Sequence, residues 1–168
     1  MVLWGLVIAV LAAIAWQDFK YRAIYTWMFP AAVALVTVQS IMLHTFSFTA
    51  VGINLLIIAL QLALLNLLMY WRKGEWLMEG EQWMGWGDVA FFAVLIFCFS
   101  PVNFVVFYLT SLLLVLIGSL AIMVAGYKVG RIPLAGGQAA LLAIVWLFDY
   151  SHWGRRLYMD IDLTRFVQ

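Results

Sequence analysis

The stretch AVGINLLIIALQLALLNLLMY, residues 50–70, decides the kind of fold that this chain adopts. It carries no charged residue, and about 20 apolar residues are enough for an α-helix to cross a bilayer. The rest of the chain has the same character. Of its 168 residues, 67% are apolar or aromatic and 10% are charged, whereas soluble domains average about 45–50% apolar and about 25% charged. This composition indicates an integral membrane protein and excludes a soluble enzyme, a nucleic-acid-binding module, a disordered chain and a secreted disulfide scaffold.

Charged and turn-forming residues divide the sequence into six apolar segments. They predict an all-α polytopic membrane protein with six transmembrane helices. The predicted spans are residues 1–16, 23–43, 50–70, 88–100, 102–125 and 133–148. The first segment lacks the basic flank of a signal peptide, so we interpret it as a helix and not as a cleaved address. We expect residues 1–149 to form one membrane domain and residues 150–168 an amphipathic C-terminal tail.

The basic residues predict how these spans are oriented. If the N-terminus lies outside, the two short outer connections, residues 44–48 and 100–103, contain no Lys or Arg. The inner connections then contain Lys20, Arg22, Arg72, Lys73, Lys128 and Arg131. Because Lys and Arg are enriched in the inner loops of membrane proteins, we expect an N-out, C-out topology.

The carboxylates are the side chains with the clearest catalytic potential. The sequence has no His-Glu-x-x-His zinc motif and no Gly-x-Ser-x-Gly nucleophile motif, and its single cysteine, Cys98, cannot form an intrachain disulfide. We expect no metal and no cofactor. Asp18 closes the first span and Asp88 opens the fourth, so alternating crossings bring both to the same membrane face. An acid there is a functional candidate, because drawing it to the centre of a helix costs ~2.5–3.5 kcal/mol.

Each aspartate also has an ordinary structural interpretation. Asp88 suits the N-cap of the fourth helix, and Asp18 suits a juxtamembrane charge balanced by the basic residues after it. If the two meet in a partly dehydrated site, one holds a proton while the other stays charged, and together they can activate water against a peptide bond. Gly85 and Gly87 have no side chains and would let an extended substrate approach Asp88. The spacing permits this meeting but does not require it.

Three segments, in this order, resemble the type IV prepilin peptidase family of intramembrane aspartyl proteases. Residues 18–24, Asp-Phe-Lys-Tyr-Arg-Ala-Ile, resemble the segment around that family's first aspartate. Residues 85–88, Gly-Trp-Gly-Asp, look like its Gly-x-Gly-Asp signature. Residues 131–134, Arg-Ile-Pro-Leu, resemble the Ile/Val-Pro-Phe segment that leads into its last helix.

The resemblance implies an aspartic endopeptidase of the bacterial inner (cytoplasmic) membrane. Such an enzyme removes the basic leader from type IV prepilin-like precursors at the cytoplasmic face, and its partners are that precursor and the lipid bilayer, not nucleic acid. Carried over residue by residue, Asp18 and Asp88 are the catalytic pair. Gly85 and Gly87 shape the substrate site beside Asp88, and Pro133 belongs to the motif that supports it.

The chain departs from the family pattern at several points. Ile24 is followed by Tyr25-Thr26 where the family has Pro-Asn, and Ala90 stands where it often has Lys. Substrate preference and pilus type therefore stay open. Bifunctional members also carry a methyltransferase segment with paired cysteines. We see no such segment in this chain, and we do not expect N-methylation of the product.

Two alternatives stand beside this interpretation. One is a protease of the presenilin or signal-peptide-peptidase type, against which Gln17 argues because those proteins place a Tyr before the first aspartate. The other is a non-enzymatic transporter or assembly factor, including a degenerate peptidase, that uses the aspartates for protons or cations. A transporter typically shows polar residues at the midplane, and we expect the two candidates, Gln61 and Asn66, to bond between helices instead.

The oligomeric state also stays open. Gly126 and Gly130 form a Gly-x-x-x-Gly pattern at the inner end of the fifth span. This pattern is typical of close helix contacts. It indicates either a contact within the monomer or a homodimer.

Overall fold

A computed structural model describes residues 2–74, 85–125, 133–149 and 155–159. Its helices are α1 (Val2–Tyr21), α2 (Met28–Met42), α3 (Phe48–Lys73), α4 (Trp86–Cys98), α5 (Pro101–Val124) and α6 (Leu134–Phe148), followed by a 3-10 helix (Arg155–Tyr158). The expected all-helical fold with six α-helices is confirmed for the described residues.

Long and short helices alternate along the chain. The helices α1, α3 and α5 have 20, 26 and 24 residues and are long and apolar enough to cross a membrane. The helices α2, α4 and α6 have 15, 13 and 15 residues. At ~1.5 Å per residue these reach about 20–23 Å, less than the ~30 Å hydrocarbon core of a bilayer. The three long helices make the chain a membrane protein. Crossing by the three short ones remains a prediction.

Two helix boundaries differ from those expected. The helix α1 continues beyond Trp16 to Tyr21 and ends where Arg22 adopts a left-handed φ of 54°. The helix α2 begins at Met28 and not near residue 23, so residues 22–27 form a connection instead of a helical turn. The expected boundaries followed the charges, but Lys and Arg are good helix formers and do not by themselves end a helix.

The core lies among α1, α2, α4 and α6. Its buried side chains include Val7, Leu11, Ile14, Phe91, Val94, Leu95, Ala139, Leu142 and Trp146. By contrast, α3 buries only Asn54 and Ile58 and leaves most of its leucines exposed. Exposed leucines suit a helix whose surroundings are lipid, because lipid tails are as apolar as leucine.

The closest packing joins α1 to α6, where small residues allow the two backbones to approach. Ala135, Ala139 and Ala143 recur at intervals of four along one face of α6, and all three are buried. The buried residues of α1 include Leu11 and Ile14, which lie one or two turns before Asp18 on the same side of the helix. The helical period therefore turns Asp18 toward the beginning of α6.

The opposite end of the bundle is held by backbone and amide hydrogen bonds. Asn54 of α3 is fully buried and donates to the carbonyl oxygens of Ile96 and Phe99, at 3.1 and 2.9 Å. Ser100 N–H donates to the carbonyl of Leu157 at 3.0 Å, which joins the 3-10 helix to the start of α5. The C-terminal end of α4 is therefore fixed from two sides.

Candidate functional site

Asp18 lies in the last turn of α1 and is partly buried. Its Oδ2 atom accepts a hydrogen bond of 2.6 Å from the backbone N–H of Gly136, 118 residues further along the chain. The Lys20 ammonium, expected to balance this charge, lies over the rings of Trp16 and Tyr21, at 5.4 and 5.0 Å from their centroids. The partner seen for Asp18 is therefore a backbone amide of α6.

Asp88 lies in the first turn of α4 and is also partly buried. The expectation that Asp88 is the N-cap is wrong, because Gly85 takes that position and Asp88 is the third residue of the helix. From there its Oδ2 atom accepts from Gly85 N–H at 3.3 Å, as in a capping box. Its Oδ1 atom accepts from Ala135 N–H at 2.9 Å.

The two aspartates therefore meet on neighbouring amides of α6. The first N–H groups of a helix have no partner within it, and here Ala135 and Gly136 donate theirs to Asp88 and Asp18. The N-terminal ends of α4 and α6, each carrying a partial positive charge, both lie at this pair.

Pro133 sets the beginning of α6 at its N-cap position. Its carbonyl oxygen accepts from the N–H of Gly137 at 3.0 Å, which closes the first turn. A proline suits this place because its missing N–H would have no helical partner. Pro133 thus supports the two amides that follow it.

The glycines of the site differ in what surrounds them. A Cβ atom built on Gly85 would lie 3.3 Å from Asp88 Oδ2, a tight contact. One on Gly87 would meet Ile24 Cδ1 at 3.7 Å and Phe29 Cζ at 3.9 Å, which are ordinary contacts. One on Gly136 would lie only 2.7 Å from both Cβ and Oδ2 of Asp18. Of these three glycines, Gly136 thus has the least room.

Sequence reasoning missed Gly136 and Ala135. The available signal was the pair Gly136-Gly137, shortly after Pro133 and inside a helix that is apolar apart from Gln138. A glycine in a helix interior costs roughly 0.5–1 kcal/mol relative to alanine, which favours a reason in packing or in function.

The connection between α1 and α2 lies beside the pair. The Cδ1 atom of Ile24 lies 3.7 Å from where a Cβ atom on Gly87 would stand, and the backbone N–H of Tyr25 donates to Gln17 Oε1 at 3.1 Å. Tyr25 occupies the position where the resembling family has proline, which has no N–H to donate. The departure thus coincides with a hydrogen bond that a proline could not make.

Other residues considered from the sequence lie away from the pair or outside the described residues. His44 is exposed at the far end of α2, and Cys98 is buried and donates to the carbonyl of Val94. Gln61 forms the expected bond between helices, to Tyr108 of α5. The residues Glu75, Glu79, Glu81, Gly126, Gly130 and His152 lie outside the described ranges. Within those ranges, no three His, Cys, Asp or Glu side chains are grouped as a metal site requires.

Comparison with known protein families gives a match to the type IV leader peptidase family over residues 5–127. The matched range contains both aspartates and ends before α6. Neither the curated proteins nor the solved structures give a significant match.

Proposed function

This chain belongs to the type IV leader peptidase family, and we propose that it is an aspartic endopeptidase in which Asp18 and Asp88 are the catalytic pair. The observation that carries the proposal is the meeting of the two carboxylates on the adjacent N–H groups of Ala135 and Gly136. Asp18 and Asp88 are 70 positions apart (18 to 88) in the sequence. If they were only ordinary juxtamembrane charges, nothing would require both to bind neighbouring amides of the same helix.

The reaction follows from the chemistry of two close carboxyl groups. Two carboxylates at one site do not both ionise easily, so one holds a proton while the other is charged. The charged one accepts a proton from a water molecule, whose oxygen attacks the carbonyl carbon of the scissile peptide bond. The protonated one gives its proton to the leaving amine, and the peptide bond breaks. Neither a covalent intermediate nor a cofactor is part of this scheme.

The substrate class follows from the position of the site and from the family. We propose that all six helices cross the inner membrane of a bacterium with the N-terminus outside. The aspartates then lie at the cytoplasmic face, together with the basic residues that follow α1 and end α3. A precursor of the type IV prepilin class has a basic leader and an apolar helix, and it would hold its cleavage site at this depth. Gly85 and Gly87 leave room for its backbone beside Asp88.

Cleavage in membranes tests this proposal. The protein is co-expressed with prepilin-like precursors from the same genome, and loss of the leader is followed on a gel. We expect Asp18→Asn and Asp88→Asn each to lower the cleavage rate by about 10²–10⁴-fold, the usual contribution of a general acid or base. Both substitutions keep the shape of the side chain and its capacity to accept a hydrogen bond.

The matched control is Asp149→Asn, a buried aspartate at the opposite end of α6. It should cleave as the native chain does. Full cleavage by either site variant would disprove the assignment of the pair. Failure of the native, correctly inserted protein to cleave any precursor would favour the transporter or assembly-factor alternative.

A further inference from the structure

We infer that Gly136 is a positioning residue for the aspartate pair: its N–H and its missing side chain together fix where Asp18 stands relative to Asp88. This inference rests on the proposed function and extends it to α6. Two independent observations point to it, one a hydrogen bond and the other a lack of space.

Because of the hydrogen bonds to α6, the backbone of that helix sets the spacing between the carboxyl groups of Asp18 and Asp88. Gly136 N–H holds Asp18, and the N–H of the preceding residue, Ala135, holds Asp88. The two donors lie on successive peptide units that are joined at the Cα of Ala135, and the helical backbone conformation of α6 fixes their spacing and direction. The two carboxyl groups arrive on side chains from α1 and α4, yet their positions are set by α6. Charged hydrogen bonds of this kind are short and strong.

The lack of space makes glycine necessary at this position. A Cβ atom on Gly136 would lie 2.7 Å from Asp18 Cβ and 2.7 Å from Asp18 Oδ2. The Cβ of Asp18 is bonded to the α1 backbone, so rotating the side chain cannot relieve the contact. An alanine here must push α1 away from α6 at the level of the site, and Asp18 moves with α1.

The next residue offers a matched control. A Cβ atom on Gly137 would also collide, but with Val115 of α5, at 2.5 Å from its Cγ2 atom. Gly136→Ala and Gly137→Ala are thus the same substitution in the same helical turn, and both cause crowding. Only the first displaces an aspartate.

The kinetic test compares these two variants on a cleaved precursor. We expect Gly136→Ala to lower kcat by about 100-fold, the effect of displacing a catalytic group by about 1 Å, with little change in KM. We expect Gly137→Ala to lower the yield of folded protein but to leave the kcat of the folded fraction unchanged. The second change Val115→Ala should restore its yield. Equal losses of kcat in both variants would overturn the inference.

A second test needs no activity. The thermal unfolding midpoint is measured in detergent for four proteins, namely the native chain, Gly136→Ala, Asp18→Gly and the double variant. Because Asp18→Gly removes the atoms that the added methyl group at position 136 would strike, we expect Gly136→Ala to lower the midpoint far less in that background. Additive effects would show that residues 18 and 136 are not in contact and would overturn the inference.

The two tests separate this inference from the proposed function. Coupling between residues 18 and 136 in a protein that cleaves no precursor would leave the placement of Gly136 intact and disprove the peptidase. Cleavage by the native chain with unchanged kcat in Gly136→Ala would do the reverse.

Discussion

Asp18 and Asp88 reach the same place by different local routes. Asp18 continues the buried face of α1, whereas Asp88 first caps its own helix through Gly85 and then extends to α6. Side-chain oxygens that accept from N–H groups at the beginning of a helix are common. The unusual feature here is that donors on one helix are used by acceptors from two others. A local capping role and a role in the pair are therefore compatible for Asp88.

Substitution of Gly87 tests whether the substrate needs the free space beside this residue or whether the glycine serves only the packing of the helices. A Cβ atom there would make ordinary contacts with Ile24 and Phe29, so we expect Gly87→Ala to leave the unfolding temperature unchanged. If the substrate backbone passes this surface, as proposed, KM for the precursor should rise several-fold. Steady-state cleavage with purified protein measures it. An unchanged KM would assign Gly87 to the packing against Ile24 alone.

At the scale of the helices, the lengths of the apolar runs and the positions of the charges predict all six α-helices and their order. The site was predictable in part. Alternating membrane crossings place Asp18 and Asp88 at one membrane face, but no side chain in the first turn of α6 indicates that this turn belongs to the site. No side chain marks a backbone donor, so the glycine pair at positions 136 and 137 was the available signal, and Ala135 and Gly136 were missed. The beginning of α2 was also missed, because residues 23–27 are apolar enough to continue a helix and are kept out of it by tertiary contacts such as that of Tyr25 with Gln17.

The helix α4 is held by the apolar core along much of its length, and Asn54 is the polar group that fixes its far end. We expect Asn54→Ala to lower the free energy of unfolding by about 1–2 kcal/mol, because it removes two hydrogen bonds between membrane helices, each worth on average about 0.6 kcal/mol within a membrane protein. Removing this anchor should also lower cleavage, because α4 carries Asp88. Leu60→Ala is the control, since Leu60 is exposed on the same helix. Thermal unfolding in detergent measures the stability of the two variants. Equal stability of the two would contradict this role of Asn54.

At the scale of the whole molecule, the long helices and the short ones have different roles. The helices α3 and α5 expose rows of leucine and isoleucine, while the N-terminal ends of the short helices α4 and α6 bring Asp88 and its amide donor together. If the short helices cross the bilayer, as proposed, their ends, and therefore their N–H groups, lie below the membrane surface. This depth is what a peptidase needs if its substrate is cut near the end of a membrane-spanning helix.

The topology behind this arrangement can be tested on the short helix α2. Its two ends are flanked by exposed residues, Tyr25 before it and Phe48 after the following turn. With Cys98 replaced by alanine, single cysteines at positions 25 and 48 are treated in intact cells with a maleimide that does not cross the membrane. If α2 crosses and the N-terminus lies outside, Phe48→Cys is labelled from outside and Tyr25→Cys only after the membrane is opened. Labelling of both from the same side would show that α2 does not cross. Alternating crossings would then no longer explain why Asp18 and Asp88 lie at the same membrane face. Their hydrogen bonds to α6 would still require them to lie there. Labelling in the reverse order would place the site at the outer face and exclude cleavage of a leader that stays in the cytoplasm.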